Sequence, residues 1–215
     1  MIMGEIRNIG IIVSTTFDRD GNDLVIRGTL KLFGKSIAEL TYENLLTLNL
    51  DDIYVYTNLR GVALKNIFGK KVKYIISKSK CLYSNTATKN EFIEYVKDAD
   101  NIILMDPKYP FLNSSILNKL FIQHQNELND ITYIKCEYED NTFIPNIAIM
   151  KLDAFITLFN KTDFLKQSFD LNSIIMNKTI NLKIGCNKIS SLYQIMPLSN
   201  GKIINNIEKL LKNRK

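Results

Sequence analysis

Residues 8–14 read Asn-Ile-Gly-Ile-Ile-Val-Ser, an apolar run of strand length without polar alternation. A strand that is apolar on both sides belongs in the middle of a parallel sheet, where helices cover both faces. Residues 101–105, Asn-Ile-Ile-Leu-Met, have the same character and stop at once at Asp106 and Pro107. Between these two runs, 52–57 (Asp-Ile-Tyr-Val-Tyr-Thr) and 71–76 are rich in β-branched and aromatic residues and read as further strands. Helical spacing separates them. Ile37, Leu40, Leu45 and Leu48 recur with Ser36 as N-cap and Glu39 as its capping-box partner, and helices follow at 62–68 and 91–97.

Beyond residue 106 a helix from Asn113 through His124 to Leu128 leads to a strand at 131–136. Past Pro145 the rhythm changes to a strand at 146–150, a helix at 153–159, a strand at 179–184 and an amphipathic closing helix at 203–211. The β-α-β period predicts a three-layer α/β/α fold around a mainly parallel mixed sheet. No repeat, linker or boundary interrupts it, so residues 1–215 are expected to form a single domain. A chain of 215 residues can bury a full core without disulfides or metals.

Composition narrows the function. The run at 9–13 is too short for a signal-peptide core or a membrane span, which points to a cytoplasmic protein without a membrane partner. Cys81, Cys136 and Cys186 are odd in number, far apart and without zinc-site spacing, as expected of buried thiols in a reducing compartment. The net charge of +6 raises the question of nucleic acid. However, the lysines are scattered, with modest concentrations at Lys70, Lys71, Lys73, Lys78 and Lys80, which read as a solvated strand edge, and at Lys209, Lys212, Arg214 and Lys215, which read as a frayed helix end. A nucleic-acid surface would interleave aromatic stacking platforms with them, and this one does not. His124, the single histidine, reads as a solvated helix residue without a catalytic partner.

Particular residues add a resemblance. Gly34-Lys35-Ser36-Ile37, the helix after it and Asp51-Asp52-Ile53-Tyr54-Val55 are similar to the Gly-Lys-Pro-(Met/Ile), helix and Asp-Asp-Ile-x-Val-x-Thr succession of the nucleotidyltransferases. Asp106-Pro107-Lys108-Tyr109-Pro110-Phe111 resembles the Asp-Ala-Ala-Arg-Pro-Phe of the isoprenoid cytidylyltransferases, and Asn146-Ile147-Ala148-Ile149 the later strand that contacts the sugar or alcohol in sugar-phosphate members. The resemblance implies a nucleotide-diphospho-sugar transferase-like fold. It also implies Asp106 as a magnesium (Mg2+) ligand, against the plainer reading of a turn aspartate before proline. For the second metal ligand, Asn187 in Gly185-Cys186-Asn187 matches the uridylyltransferase Gly-Val-Asn, whereas counting back from the last helix puts Pro197-Leu198-Ser199 there instead.

The family's glycine-rich loop, Leu-Ala-Ala-Gly-x-Gly-Thr-Arg-Met followed by Pro-Lys, is absent. In its place stand Val13 to Gly21, with Thr16 and Asp18 where glycines let backbone amides meet a triphosphate, and Ile26-Arg27 for Pro-Lys. Asp18 and Asp20 would repel phosphate. Arg19 and Arg27 remain to neutralise charge in catalysis, and Ser14, Thr15 and Thr16 to donate hydroxyl hydrogen bonds to a nucleotide. The expectation is a protein that transfers a nucleoside monophosphate from CTP or UTP to a phosphorylated sugar or polyol, with a homodimer allowed. The alternative is a pseudoenzyme that kept the fold as a binding or regulatory module.

Overall fold

The computed structural model describes residues 6–20, 22–58, 61–77, 86–139, 141–161, 171–175 and 181–212. All seven residues of β1 (Asn8–Ser14) are buried, as its composition requires. After it come two small hairpins, β2 (Phe17–Asp20) with β3 (Asp23–Ile26) and β4 (Lys31–Leu32) with β5 (Lys35–Ser36), and then α1 (Ile37–Leu45). Next are β6 (Asp52–Asn58), α2 (Val62–Phe68), β7 (Lys73–Ser77), α3 (Thr86–Val96), β8 (Asn101–Met105) and α4 (Ser114–Glu127). The second half holds β9 (Ile131–Tyr138), β10 (Asn141–Phe143), β11 (Ile147–Lys151), α5 (Leu152–Lys161), α6 (Leu171–Ile175), β12 (Ile184–Ile189) and α7 (Gly201–Lys212).

β1 is central, parallel to β6 on one side and to β8 on the other. β7 extends the sheet in parallel beyond β6 to one edge, where Lys73 is exposed beside Asp52. On the other side β11 runs antiparallel between β8 and β9, and β12 pairs with the outer side of β9. The mixed, mainly parallel sheet is thus the expected one.

Its pleat sorts the core into two layers, since successive side chains of a strand point to opposite faces. Ile9, Ile11, Val13, Ile102 and Leu104 pack with Phe92 of α3 and Phe155 of α5. Ile12, Val55, Ile103 and Met105 pack with Leu45 of α1, Leu64 of α2 and Leu120 of α4. Gly10 leaves room on this second face: a Cβ there would stand 2.9 Å from Leu50 Cδ1. Both Ser36 and Glu39 make the reciprocal capping-box bonds that start α1. A third, smaller cluster joins Leu30, Leu32 and Ile37 to Leu198 and Ile204, tying α7 to the β4–β5 hairpin.

Two expectations are corrected here. His124 is buried, not solvated, because helical spacing puts it on the same face of α4 as Leu117 and Leu120. Its Nδ1 lies 2.9 Å from Thr132 Oγ1 and its Nε2 3.3 Å from Asn101 Oδ1. Asn101 in turn donates to Asn8 Oδ1, so its own oxygen accepts from Nε2–H, and since burial lowers the ring's pKa to about 4 the ring is the neutral Nε2–H tautomer. The second concerns the residues that stand in place of the glycine-rich loop: after Ser14 they form β2, which pairs with β3 as a β-hairpin. Cys136 is buried and Cys186 half-buried, both free, while Cys81, Lys78 and Lys80 lie outside the described residues. No helix among the described residues is long and apolar enough to cross a membrane.

Candidate functional site

The carboxyl ends of β1 and β8 lie side by side, with Ile12 opposite Met105, so Ser14 and Asp106 leave the sheet at one place. In open α/β sheets that place is where ligands bind. The β2–β3 hairpin rises from it and returns as Arg27, whose amide donates to Thr16 O at 2.9 Å. Asp18 turns inward from the hairpin and is 2% exposed. One of its oxygens accepts from Arg27 Nε at 3.2 Å and the other from the Gly28 amide at 3.1 Å.

The same guanidinium reaches the sheet. Arg27 Nη1 donates to Asp106 Oδ2 at 2.9 Å, and the Lys108 amide donates to Asp106 Oδ1 at 3.1 Å. Lys108 Nζ stands 3.5 Å from Asp106 Oδ2. Two buried carboxylates and two cations therefore share one small volume. Burial pushes the Asp18 carboxyl above its ordinary range, against the opposing pull of Arg27. Asp106 and burial together push the Tyr109 hydroxyl up, burial being the larger cause. Ion pairs this deep hold only as complete sets, since removing one member leaves an uncompensated charge and costs about 3–5 kcal/mol.

Backbone geometry locks the arrangement. Gly28 has φ +87°, and a Cβ on it would lie 3.0 Å from Ala38 Cβ and 3.1 Å from Pro107, so residues 27–28 lie directly against the turn after β8. Ser14 Oγ donates to Arg27 O at 2.5 Å, Asn58 Nδ2 donates to Thr15 O at 2.9 Å, and the Leu198 amide donates to Lys108 O at 2.7 Å. Beside Ser14 in the sheet, Thr57 Oγ1 is buried and has no hydrogen-bond partner among the described residues.

The structure thus brings together Ser14, Arg27 and Asp106, with the backbone of Thr15 and Thr16. Ser14 gives its hydroxyl proton to Arg27 O. Arg19 pairs with Leu24 in the hairpin backbone, and its side chain lies outside the described residues. Asn187 is corrected as a partner of Asp106. It sits on β12, separated from β8 by β9 and β11, roughly 14 Å at the usual strand spacing. Its amide donates to Gln123 of α4. The segment beside Lys108 is Pro197-Leu198-Ser199, so the other alignment fits the structure, and it supplies no carboxylate. Asp18, Lys108 and Thr57 were missed as site members. For Asp18 the signal was present, since Asp20-Gly21 before Asn22 is a hairpin-turn sequence that fixes an alternating strand before it.

No protein-family model matches the sequence, and no curated protein matches it at a significant level. Solved structures do. CMP:2-keto-3-deoxy-manno-octonic acid synthetase complexed with CTP superposes at TM-score 0.69 with 13% identity, over 97% of this chain and 100% of that one. The chain has the nucleotidyltransferase-like fold. 4-Diphosphocytidyl-2C-methyl-D-erythritol synthase from Anaerococcus prevotii shares it at TM-score 0.66 and 13% identity, over 96% of both chains. So does Rv0371c from Mycobacterium tuberculosis, here in complex with manganese, at TM-score 0.65 and 11% identity over 94% of this chain and 97% of that one.

A divalent ion is implied by the resemblance, and the donors can be tested against it. Such an ion wants several oxygen ligands free of competing cations. Asp106 and Asp18 already face a guanidinium, and among the described residues no three acidic, histidine or cysteine side chains gather around one point. In this arrangement the residues do not fit a divalent ion.

Proposed function

We propose that the protein is a nucleotidyltransferase-like binding module, which takes a pyrimidine nucleoside triphosphate at the carboxyl ends of β1, β6 and β8 without carrying out the metal-assisted transfer. The observation that carries the reading is the engagement of Asp106 by Arg27 and Lys108. Its support for binding is the fold, one neighbour of which holds CTP, and the Thr57 hydroxyl at the strand ends, which has no partner among the described residues, since a buried polar atom without a partner is costly unless a ligand completes it. The β2–β3 hairpin supports the loss of transfer. It stands where a glycine-rich loop would bring amides to phosphate, and it puts a carboxylate there.

The second reading keeps the reaction: transfer of a nucleoside monophosphate from CTP or UTP to a phosphorylated sugar or polyol with Mg2+, in a single domain that is free to form a homodimer. The convergence of Asp18 and Asp106 on one cation favours it, because movement of Arg27 onto a phosphate would release both carboxylates. Thermal-shift titration with the four nucleoside triphosphates, followed by a pyrophosphate-release assay with phosphorylated sugars and polyols, separates the two. The module is expected to be stabilised by CTP or UTP and to release no pyrophosphate above the rate in buffer. Release that depends on Mg2+ would establish the transferase, and no stabilisation by any triphosphate would remove both readings.

A further inference from the structure

We infer that Arg27 has taken over the position of a divalent cation and, together with Lys108, its double charge, so that the two form a metal-free site for a phosphate-bearing anion. The inference rests on the reading above for the place of the ligand, and part of its test needs no phosphate at all. Arg27 is pinned between two carboxylates through Nε and Nη1, and its side chain is 15% exposed. Nη2 makes no hydrogen bond to any described residue, which leaves its N–H groups for an outside acceptor. A guanidinium N–H group is a strong, charge-assisted donor to a phosphate oxygen. Lys108, whose side chain is 19% exposed, places Nζ 3.5 Å from the same Asp106 Oδ2 that Arg27 Nη1 engages, and supplies a second donor. Asp18 and Asp106 are then positioning residues. They hold the guanidinium in one orientation and balance its charge while the site is empty.

A divalent ion and Arg27 cannot both occupy the space between these carboxylates, since each needs the same oxygens. Metal should therefore not assist the ligand; by complexing a phosphate in solution it should compete with the site. Pyrophosphate is the simplest probe.

The experiment has two arms on the full chain. In calorimetry, pyrophosphate is expected to bind in EDTA and about tenfold more weakly in millimolar Mg2+. Binding that requires Mg2+, or no binding in either buffer, overturns the anion site. In thermal denaturation without phosphate, Mn2+ is expected to leave the midpoint of the wild type unchanged and to raise that of Arg27→Gln, whose two carboxylates have lost their cation. A saturable rise for the wild type that Asp106→Ala abolishes would overturn the inference by showing that metal holds the position. Should Arg27→Gln not fold, Arg27→Lys serves. It keeps the charge but not the guanidinium, and is expected to lose at least tenfold in pyrophosphate affinity in EDTA while remaining indifferent to Mn2+; unchanged affinity sinks the role given to the guanidinium. Loss of CTP or UTP stabilisation with an intact Mn2+ result would fault the nucleotide reading and leave the cation exchange standing.

Discussion

His124 shows how much one side chain's surroundings decide. Burial, with a smaller push from Lys151, lowers its pKa from 6.5 to about 4. The folded state therefore favours the neutral ring, and between these two values the unfolded chain binds more protons. Stability from this group is fully present above pH 6.5 and is lost as pH falls toward 4, by about 3 kcal/mol over the whole window. As the chain has one histidine, a nuclear magnetic resonance titration of its ring protons gives the pKa without ambiguity. A midpoint near 6.5 in the folded protein would contradict the burial. The sequence held the information for this placement, since residues 117, 120 and 124 share a helical face. Histidine's polarity was weighed above its periodicity, and the partners that make burial tolerable, Asn101 and Thr132, come from two other elements.

Among the elements, the segment from β3 to β5 is controlled by two glycines in the left-handed region. Gly28, with φ +87°, lies against Ala38 and Pro107, whereas Gly34, with φ +84°, faces open space in the β4–β5 turn. Gly34→Ala should cost only the backbone strain, about 1 kcal/mol, and Gly28→Ala clearly more, because the new methyl group also pushes residues 27–28 off the turn after β8. Chemical denaturation of both variants checks the order; equal losses would mean that the close approach at Pro107 relaxes freely. The elements made of long apolar runs, β1, β6 and β8, were legible from composition alone, because burial on both faces leaves no other pattern. The β2–β3 hairpin was not, because gapless counting against a glycine-rich loop drew attention to missing glycines and away from the Asp20-Gly21 turn signal. Asn187 was misplaced for a different reason: the position of a strand in a sheet depends on long-range pairing, which local sequence does not encode.

At the scale of the molecule, one sheet carries both core layers, and β9 to β12 attach to it through β11 without a break. Nothing in this layering offers a plane along which half the core could unfold while the other half kept its partners. We expect residues 1–215 to behave as a single domain, with one calorimetric transition whose van 't Hoff and calorimetric enthalpies agree. Two resolved transitions would instead mark the β9–β12 side as a separate unit.

The central place of β1 also bears on how the chain is made. β1 leaves the ribosome before either of its partners, residues 52–57 on one side and 101–105 on the other. Until β8 emerges this fully apolar strand has at most one neighbour, and its second edge stays open. Sequence-distant pairing of this kind makes folding slow and leaves sticky intermediates. The nascent chain must therefore be shielded until β8 arrives, and truncations that end before residue 101 should aggregate, not fold.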